Sequence, residues 1–295
     1  MKITFLGTGS MVPTLERNHS AILISYNNEN LLFDCGEGTQ KQFRKAKISP
    51  AKITRILLTH WHGDHVFGIP GLLTTMSWSN YARPFEIYGP KGTKKHLENL
   101  MKGFIQQMDL KSNIKEITSG KVLETNEFYV EAFPLSHGCP CLAYNFIGKD
   151  KRNIDMGYLK KFGLKNNPIL RKLSQGKDIT YNGKKISAKK ATRITKGKKI
   201  SIILDTSFNK NLVKIAKNAD ILICESTHLS GTKEAAGYKH LTSEQAALIA
   251  KKSKSKKLIL THFSQRYNDV TPLEKEAKKI FKNTISSKDL MEVTV

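Results

Sequence analysis

"LLTHWHGDHVFGIPGLL" (residues 57–73) places three of the chain's nine histidines, with an aspartate, inside six positions. The run that leads into it, "ITRILLTH" (53–60), is short and apolar, which predicts a buried strand carrying His60 out of a sheet. Side chains alternate along an extended chain, so His60 and His62 point the same way. Gly63 lets the backbone turn sharply and bring Asp64 and His65 toward the same space. Imidazole and carboxylate are ligands that first-row divalent metals accept. Four of them this close are too many for one catalytic ion with an open position, and they suit two ions side by side.

Such a site draws further ligands from other strand ends. "PLSHGCP" (134–140) places His137 after a strand-like run at 127–134, "ILDTS" (203–207) places Asp205 after another, and "LILTHFS" (258–264) places His262 after a third. A lone His or Asp at a strand end is commonly a turn or cap residue. Several such places in one chain, one holding four ligand-type residues, argue against coincidence and suit residues gathered along one edge of a sheet. His19, His96 and His228 lack this setting and read as surface or supporting groups.

The rest of the chain is read from the same signals. Strands are expected at 2–6, 21–26, 30–34, 85–88, 121–124, 127–134 and 142–148, and again at 200–207, 220–227, 256–264 and 290–295. Helical patterning marks 36–47, 65–78, 92–108, 211–219, 242–253 and 272–281, with Thr242 and Gln245 at capping-box spacing. The N-terminal half reads as a strand meander and the C-terminal half alternates strand and helix. An α/β (α+β) protein follows, with two sheets face to face and helices outside.

Composition limits the class. The 295 residues are 39% hydrophobic, and no apolar run reaches the ~18 residues of a membrane span. The first apolar run is broken by Gly7 to Ser10, so it reads as a first strand rather than a leader. Cys35, Cys139, Cys141 and Cys224 form no CxxC pair, which suggests reduced thiols and a cytoplasmic protein.

The net charge of +24 points to a polyanion, most often nucleic acid, although a lysine-rich proteome also raises charge. Its distribution separates the two. Residues 149–199 hold 17 Lys or Arg against three Asp and no Glu, so 17 − 3 gives +14 in a sixth of the chain. With few apolar anchors, the segment reads as a basic excursion from the core.

These residues carry a resemblance. "HWHGDH" matches the HxHxDH signature of the metallo-β-lactamase superfamily, an αββα sandwich that binds one or two zinc ions. "FLGTGSMVPTLERNHSAILI", "LLFDCGEGTQKQF", "LLTHWHGDHVFGIPGLL", "PLSHGCPCLAY", "KHLTSEQAA" and "LILTHFSQRY" resemble, in order and over nearly the whole chain, the motifs of ribonuclease Z, the endonuclease that trims the 3′ trailer from precursor tRNA. One HxHxDH and no second, degenerate half suits the short form.

The resemblance implies a single metallo-β-lactamase-like domain over 1–295 with 149–199 inserted as a tRNA-gripping arm. It implies two zinc ions per chain, one held by His60, His62 and His137 and one by Asp64, His65 and His262, with Asp205 bridging. Manganese or iron also suits these ligands. A hydroxide between the ions would attack phosphorus and leave a 3′-hydroxyl on the tRNA, with Asp64 orienting it. "CESTH" and "KHLT" are similar to paired loops in which Glu225 orients His240 to protonate the departing oxygen or stabilise the phosphate. Lys151, Arg152, Lys160, Lys161, Lys165, Arg171, Lys172 and Lys177 would meet tRNA phosphates, and a homodimer without membrane contact is implied. The arm departs from the family's Gly-Pro step, with Asn167 and Pro168 in its place. Two other readings are a phosphodiesterase or sulfatase for small esters and a non-catalytic RNA-binding protein with structural metals.

Overall fold

The computed structural model describes residues 1–79, 81, 85–104, 112–232 and 239–295. By its internal contacts the chain divides into two compact units: Met1–Leu123, Val130–Phe146 and Lys199–Val295 form the first, and Glu124–Tyr129 with Ile147–Lys198 the second. The tail of the helix expected at 92–108 lies outside the described residues.

In chain order the strands are β1 (Lys2–Gly7), β2 (Ala21–Tyr26), β3 (Glu29–Phe33), β4 (Arg55–Leu57), β5 (Phe85–Gly89), β6 (Ser112–Glu116), β7 (Gly120–Glu124), β8 (Phe128–Leu135) and β9 (Cys141–Gly148). β10 (Lys151–Ile154), β11 (Ile179–Tyr181), β12 (Lys184–Ile186) and β13 (Thr192–Thr195) follow, then β14 (Lys199–Ile203), β15 (Ile221–Glu225), β16 (Leu258–Thr261), β17 (Thr284–Ser286) and β18 (Glu292–Thr294). One seven-stranded sheet runs β18-β1-β2-β3-β4-β5-β6 and another β17-β16-β15-β14-β9-β8-β7.

Both faces of the central strands β1, β2, β3, β14, β15 and β16 are largely buried, which is why they read as near-continuous apolar runs. On one face of the first sheet, Leu23, Leu32, Ile56 and Ile87 pack with Phe43, Ile69, Leu72 and Met76 from the helices Thr39–Lys45 and Ile69–Trp78. The alternate residues face the second sheet, where Phe33 meets the Tyr144 ring at 5.6 Å and Tyr26 meets Phe146 at 5.4 Å. In the second sheet Ile203, Leu222, Cys224 and Leu260 pack with Ala246, Ile249, Ala250 and Leu273 of the helices Ser243–Lys252 and Thr271–Ile280. The result is helix, sheet, sheet, helix.

The expected meander is confined to β1 to β3 and to the consecutive neighbours β7, β8 and β9; β3-β4-β5-β6 and β14-β15-β16-β17 are parallel. Helices supply the crossovers that parallel pairing requires. The loops that follow β4, β8, β14 and β16 carry His60 to His65, His137, Asp205 and His262. The strand expected over 53–60 is confined to Arg55–Leu57, so the histidine loop opens three residues after it.

The second unit has a core of its own, contrary to the expectation of few apolar anchors. Leu159, Leu164, Leu170, Leu173, Ile179, Ile186, Ala188 and Ala191 are buried together. They come from the helices Met156–Lys160, Leu170–Ser174 and Ala188–Ala191 and from the β11–β12 hairpin, while β10 pairs with β13.

Candidate metal centre

His60 follows β4 and is fully buried, and Trp61 turns to the opposite side, where its indole donates to Thr93 Oγ1 at 2.8 Å. The His60 and His62 rings then stand 4.6 Å apart, as the alternation of an extended chain requires. Gly63 opens the one-turn helix Gly63–Val66, which carries Asp64 and His65. The chain turns sharply there, as the sequence suggested, without a positive φ at Gly63. A Cβ on Gly63 would lie 2.1 Å from the edge of the exposed Phe67 ring, which would have to swing aside. Gly36 and Gly68 lie beneath the same loop: a Cβ on Gly36 would meet Asp64 O at 2.3 Å, and one on Gly68 would meet Gly36 O at 2.0 Å.

Two clusters of ligand atoms result. His60, His62, His137 and Asp205 form one, and Asp64, His65, Asp205 and His262 the other. In the first, His137 Nε2 lies 3.2 Å from His62 Nδ1 and 3.9 Å from Asp205 Oδ2, while His60 Nε2 lies 3.8 Å from the same oxygen. In the second, His65 Nε2 lies 3.3 Å from Asp64 Oδ2 and 3.5 Å from Asp205 Oδ1, and His262 Nε2 lies 3.5 and 3.2 Å from those oxygens. Asp205 thus offers one oxygen to each cluster. The loops come from both sheets, not from one sheet edge as the sequence suggested: His60 to His65 follow β4, whereas His137, Asp205 and His262 follow β8, β14 and β16.

The donor set fits divalent cations. Ligand atoms about 2.0–2.1 Å from an ion at tetrahedral angles stand about 3.3 Å apart, close to the 3.2–3.5 Å of the second cluster, while the first is looser at 3.2–3.9 Å. His60 Nε2, His65 Nε2, His262 Nε2, Asp64 Oδ1 and Asp205 Oδ1 are buried with no hydrogen-bond partner. Leaving such groups unpaired is costly, and a cation is the partner they share.

Supporting residues fix the rings. Asp34 Oδ2 stands 2.7 Å from His65 Nδ1 and accepts from Thr59 Oγ1, which lies 3.0 Å from His60 Nδ1. Thr227 Oγ1 lies 3.1 Å from His262 Nδ1 and donates to Glu225 Oε2. Anchoring one ring nitrogen leaves the other to coordinate. Asp34 (φ 57°) and His262 (φ 60°) both adopt the left-handed backbone region. Neither supporting role was visible in sequence, although Asp34 also follows a strand and its position in "FDCGEGT" resembles that of the ligand residues.

Glu225 and His240 meet beside the clusters. Glu225 accepts from Thr206 N at 2.7 Å and its Oε2 lies 3.0 Å from His240 Nδ1. Burial works to lower the His240 pKa, but the Glu225 carboxylate, with Asp205 and Asp64, raises it to about 9. Burial likewise opposes ionisation of Asp64, yet His65 and His262 hold its carboxyl well below the usual range. A cavity of about 460 Å³ opens over His62, His137, Asp205 and His240. His228, Ser264 and Arg266 also line it. His228 and His19 are buried rather than superficial, His19 packing against Gly36. His96 lies against Trp61, ring centroids 5.3 Å apart.

In the second unit, Lys160, Lys161, Lys165, Arg171, Lys172 and Lys177 are exposed and have no ion-pair partner among the described residues. Lys151 and Arg152 differ: Lys151 lies 3.5 Å from Glu127, and Arg152 donates to Thr192. The unit's aspartates are spent on Lys196, Arg193 and Lys185.

Among solved structures, the short form of human tRNase Z (ELAC1) is similar over 100% of this chain and 99% of its own, at TM-score 0.73 and 28% identity. The metallo-β-lactamase fold protein YhfI from Bacillus subtilis shares the fold at TM-score 0.73 and 18% identity, over 99% of this chain and 98% of its own. Fold and clusters together define a metal-dependent hydrolase of the metallo-β-lactamase fold. Ribonuclease Z of Methanothermobacter thermautotrophicus is 38% identical over 100% of this chain and 97% of that protein. The Bacillus licheniformis ribonuclease Z is 39% identical over 99% and 98%. A family model described as anti-Pycsar protein Apyc1 matches residues 1–140. The chain belongs to the ribonuclease Z family.

Proposed function

We propose that this endoribonuclease removes the 3′ trailer from precursor tRNA, using two divalent ions, zinc in the native protein. The observation that carries the reading is the pair of clusters sharing Asp205, in a chain that is 38% identical to a ribonuclease Z along its full length. His60, His62 and His137 would hold one ion and Asp64, His65 and His262 the other, with Asp205 between them. When bound, such ions supply Lewis acidity and lower the pKa of water.

The chain's own groups do the rest. Asp64 Oδ1, buried without a partner, accepts a hydrogen bond from the attacking water and orients it. The cut separates phosphorus from the 3′-oxygen, so the tRNA keeps a 3′-hydroxyl. His240, its Nδ1 held 3.0 Å from Glu225 Oε2, gives its Nε2 proton to that departing oxygen. The unpaired lysines and arginines of the second unit bind tRNA phosphates, which gives affinity and placement rather than sequence reading. We further propose a cytoplasmic homodimer. The four cysteines are free, which suits a reducing compartment, and among the described residues no helix is long and apolar enough to cross a membrane.

Incubating the protein with a precursor tRNA, with and without chelator, and mapping the new 3′ end tests the reading. A metal-dependent cut after the last nucleotide of the acceptor stem is expected. Absence of any metal-dependent cut there overturns it.

A further inference from the structure

A second cavity, also about 460 Å³, shares His240 with the first. Its volume is within the range of about 300–1,000 Å³ typical of small-ligand sites. Its walls combine Phe208 with Ser207, Thr232, Glu244 and Gln245.

The chemistry of these walls selects an occupant. Phe208 is 40% exposed, an aromatic ring left open to solvent in the loop after Asp205. Glu244 and the Ser207 hydroxyl have no side-chain partner among the described residues. Gln245 uses its Oε1 to cap the helix, accepting from Thr242 N at 3.0 Å, which leaves its amide NH₂ to donate. Among the described residues that line this cavity there is no Lys or Arg, and there is one carboxylate, Glu244. Its walls set the Glu244 carboxylate against the His240 imidazole rather than against a cluster of cations, which suits a neutral planar group with donors and acceptors on its edge. A nucleobase has that form: a π-face for Phe208 and an edge for Glu244 and Gln245.

We propose that this cavity is a nucleobase subsite for the nucleoside whose 3′-oxygen departs. This rests on the endonuclease reading, in which His240 protonates that oxygen, so the nucleoside carrying it lies on the His240 side. For precursor tRNA it is the nucleotide preceding the trailer. Phe208 stacks on its base while Glu244 and Gln245 meet the base edge.

Two substrates separate the possibilities: a precursor tRNA and the same RNA with an abasic ribose before the cut. With the metal-loaded protein, Phe208→Ala should lower kcat/KM on the intact precursor about tenfold, within the range for one lost stacking contact. It should cause no further loss on the abasic RNA, while Phe208→Trp keeps wild-type rates. A fluorescent purine analogue at that position should be quenched on binding wild type, even in chelator, and not on binding Phe208→Ala. Equal cutting of the intact precursor by wild type and Phe208→Ala overturns the subsite and leaves the endonuclease reading standing. So does an equal loss for Phe208→Ala on both RNAs, which would mean the ring only supports the loop. If no metal restores cutting of either RNA by wild type, the endonuclease reading falls, and the quench then reports on the cavity alone.

Discussion

Among the described residues, nitrogen and oxygen atoms of His60, His65, His262, Asp64 and Asp205 in the metal centre are buried without hydrogen-bond partners, and Lys160, Lys165, Arg171 and Lys172 in the second unit stand exposed without ion-pair partners. Both regions present polar groups that the chain leaves without a partner, and the physics of the two omissions differs. Unpaired buried groups cost free energy until a partner arrives, and their spacing fixes that partner's size and position. Exposed ammonium and guanidinium groups cost nothing while water solvates them, so their partner need only be an extended polyanion. The centre therefore demands a compact cation in one place, while the second unit asks for many phosphates in no single arrangement.

If that contrast holds, removing metal has the largest effect and a narrow one. Chelation should lower precursor cleavage by at least about a thousandfold, as expected for loss of metal-ion catalysis, and lower the melting temperature by leaving the buried groups unpaired. Filter binding of precursor tRNA should stay within a few-fold. If chelation abolished RNA binding as well, the two regions would not be independent. Next in size, His240→Ala or Glu225→Gln should cut kcat/KM by about a hundred- to a thousandfold, the range of general acid catalysis, with zinc content by atomic absorption unchanged. Loss of zinc in Glu225→Gln would move Glu225 from holding His240 to holding the metal ligand His262 through Thr227.

The sequence displayed the two regions unequally. The ligand residues were legible because each follows a short apolar run, and the fold confines such runs to strands whose two faces are both buried. How the ligands divide between sheets was not legible, since strand order depends on crossovers that no local pattern records. Asp34 was overlooked because a carboxylate after "LLF" looks like a turn residue until His65 is seen 2.7 Å away. β6, with sequence SNIKE, was missed because a polar edge strand carries no apolar period. The second unit's core escaped notice for a related reason. Leu159, Leu164, Leu170 and Leu173 recur at irregular intervals among lysines, and only the folded chain brings them together.

The smallest effects sharpen the contrast most. Replacing Lys160, Lys161, Lys165, Arg171, Lys172 and Lys177 together by Gln should weaken precursor tRNA binding by about a hundredfold or more at low salt and flatten its salt dependence. Hydrolysis of a small chromogenic phosphodiester should not change. Lys172→Gln alone should cost only a few-fold, and should lower the slope of log K against log salt by about 0.9 if Lys172 meets one phosphate. Measuring that slope for each single variant counts the phosphates each cation neutralises. Equal small decrements would mean a diffuse electrostatic surface. One variant that lost most of the affinity with little change in slope would mean a shaped contact, and the second unit would then resemble the metal centre in kind.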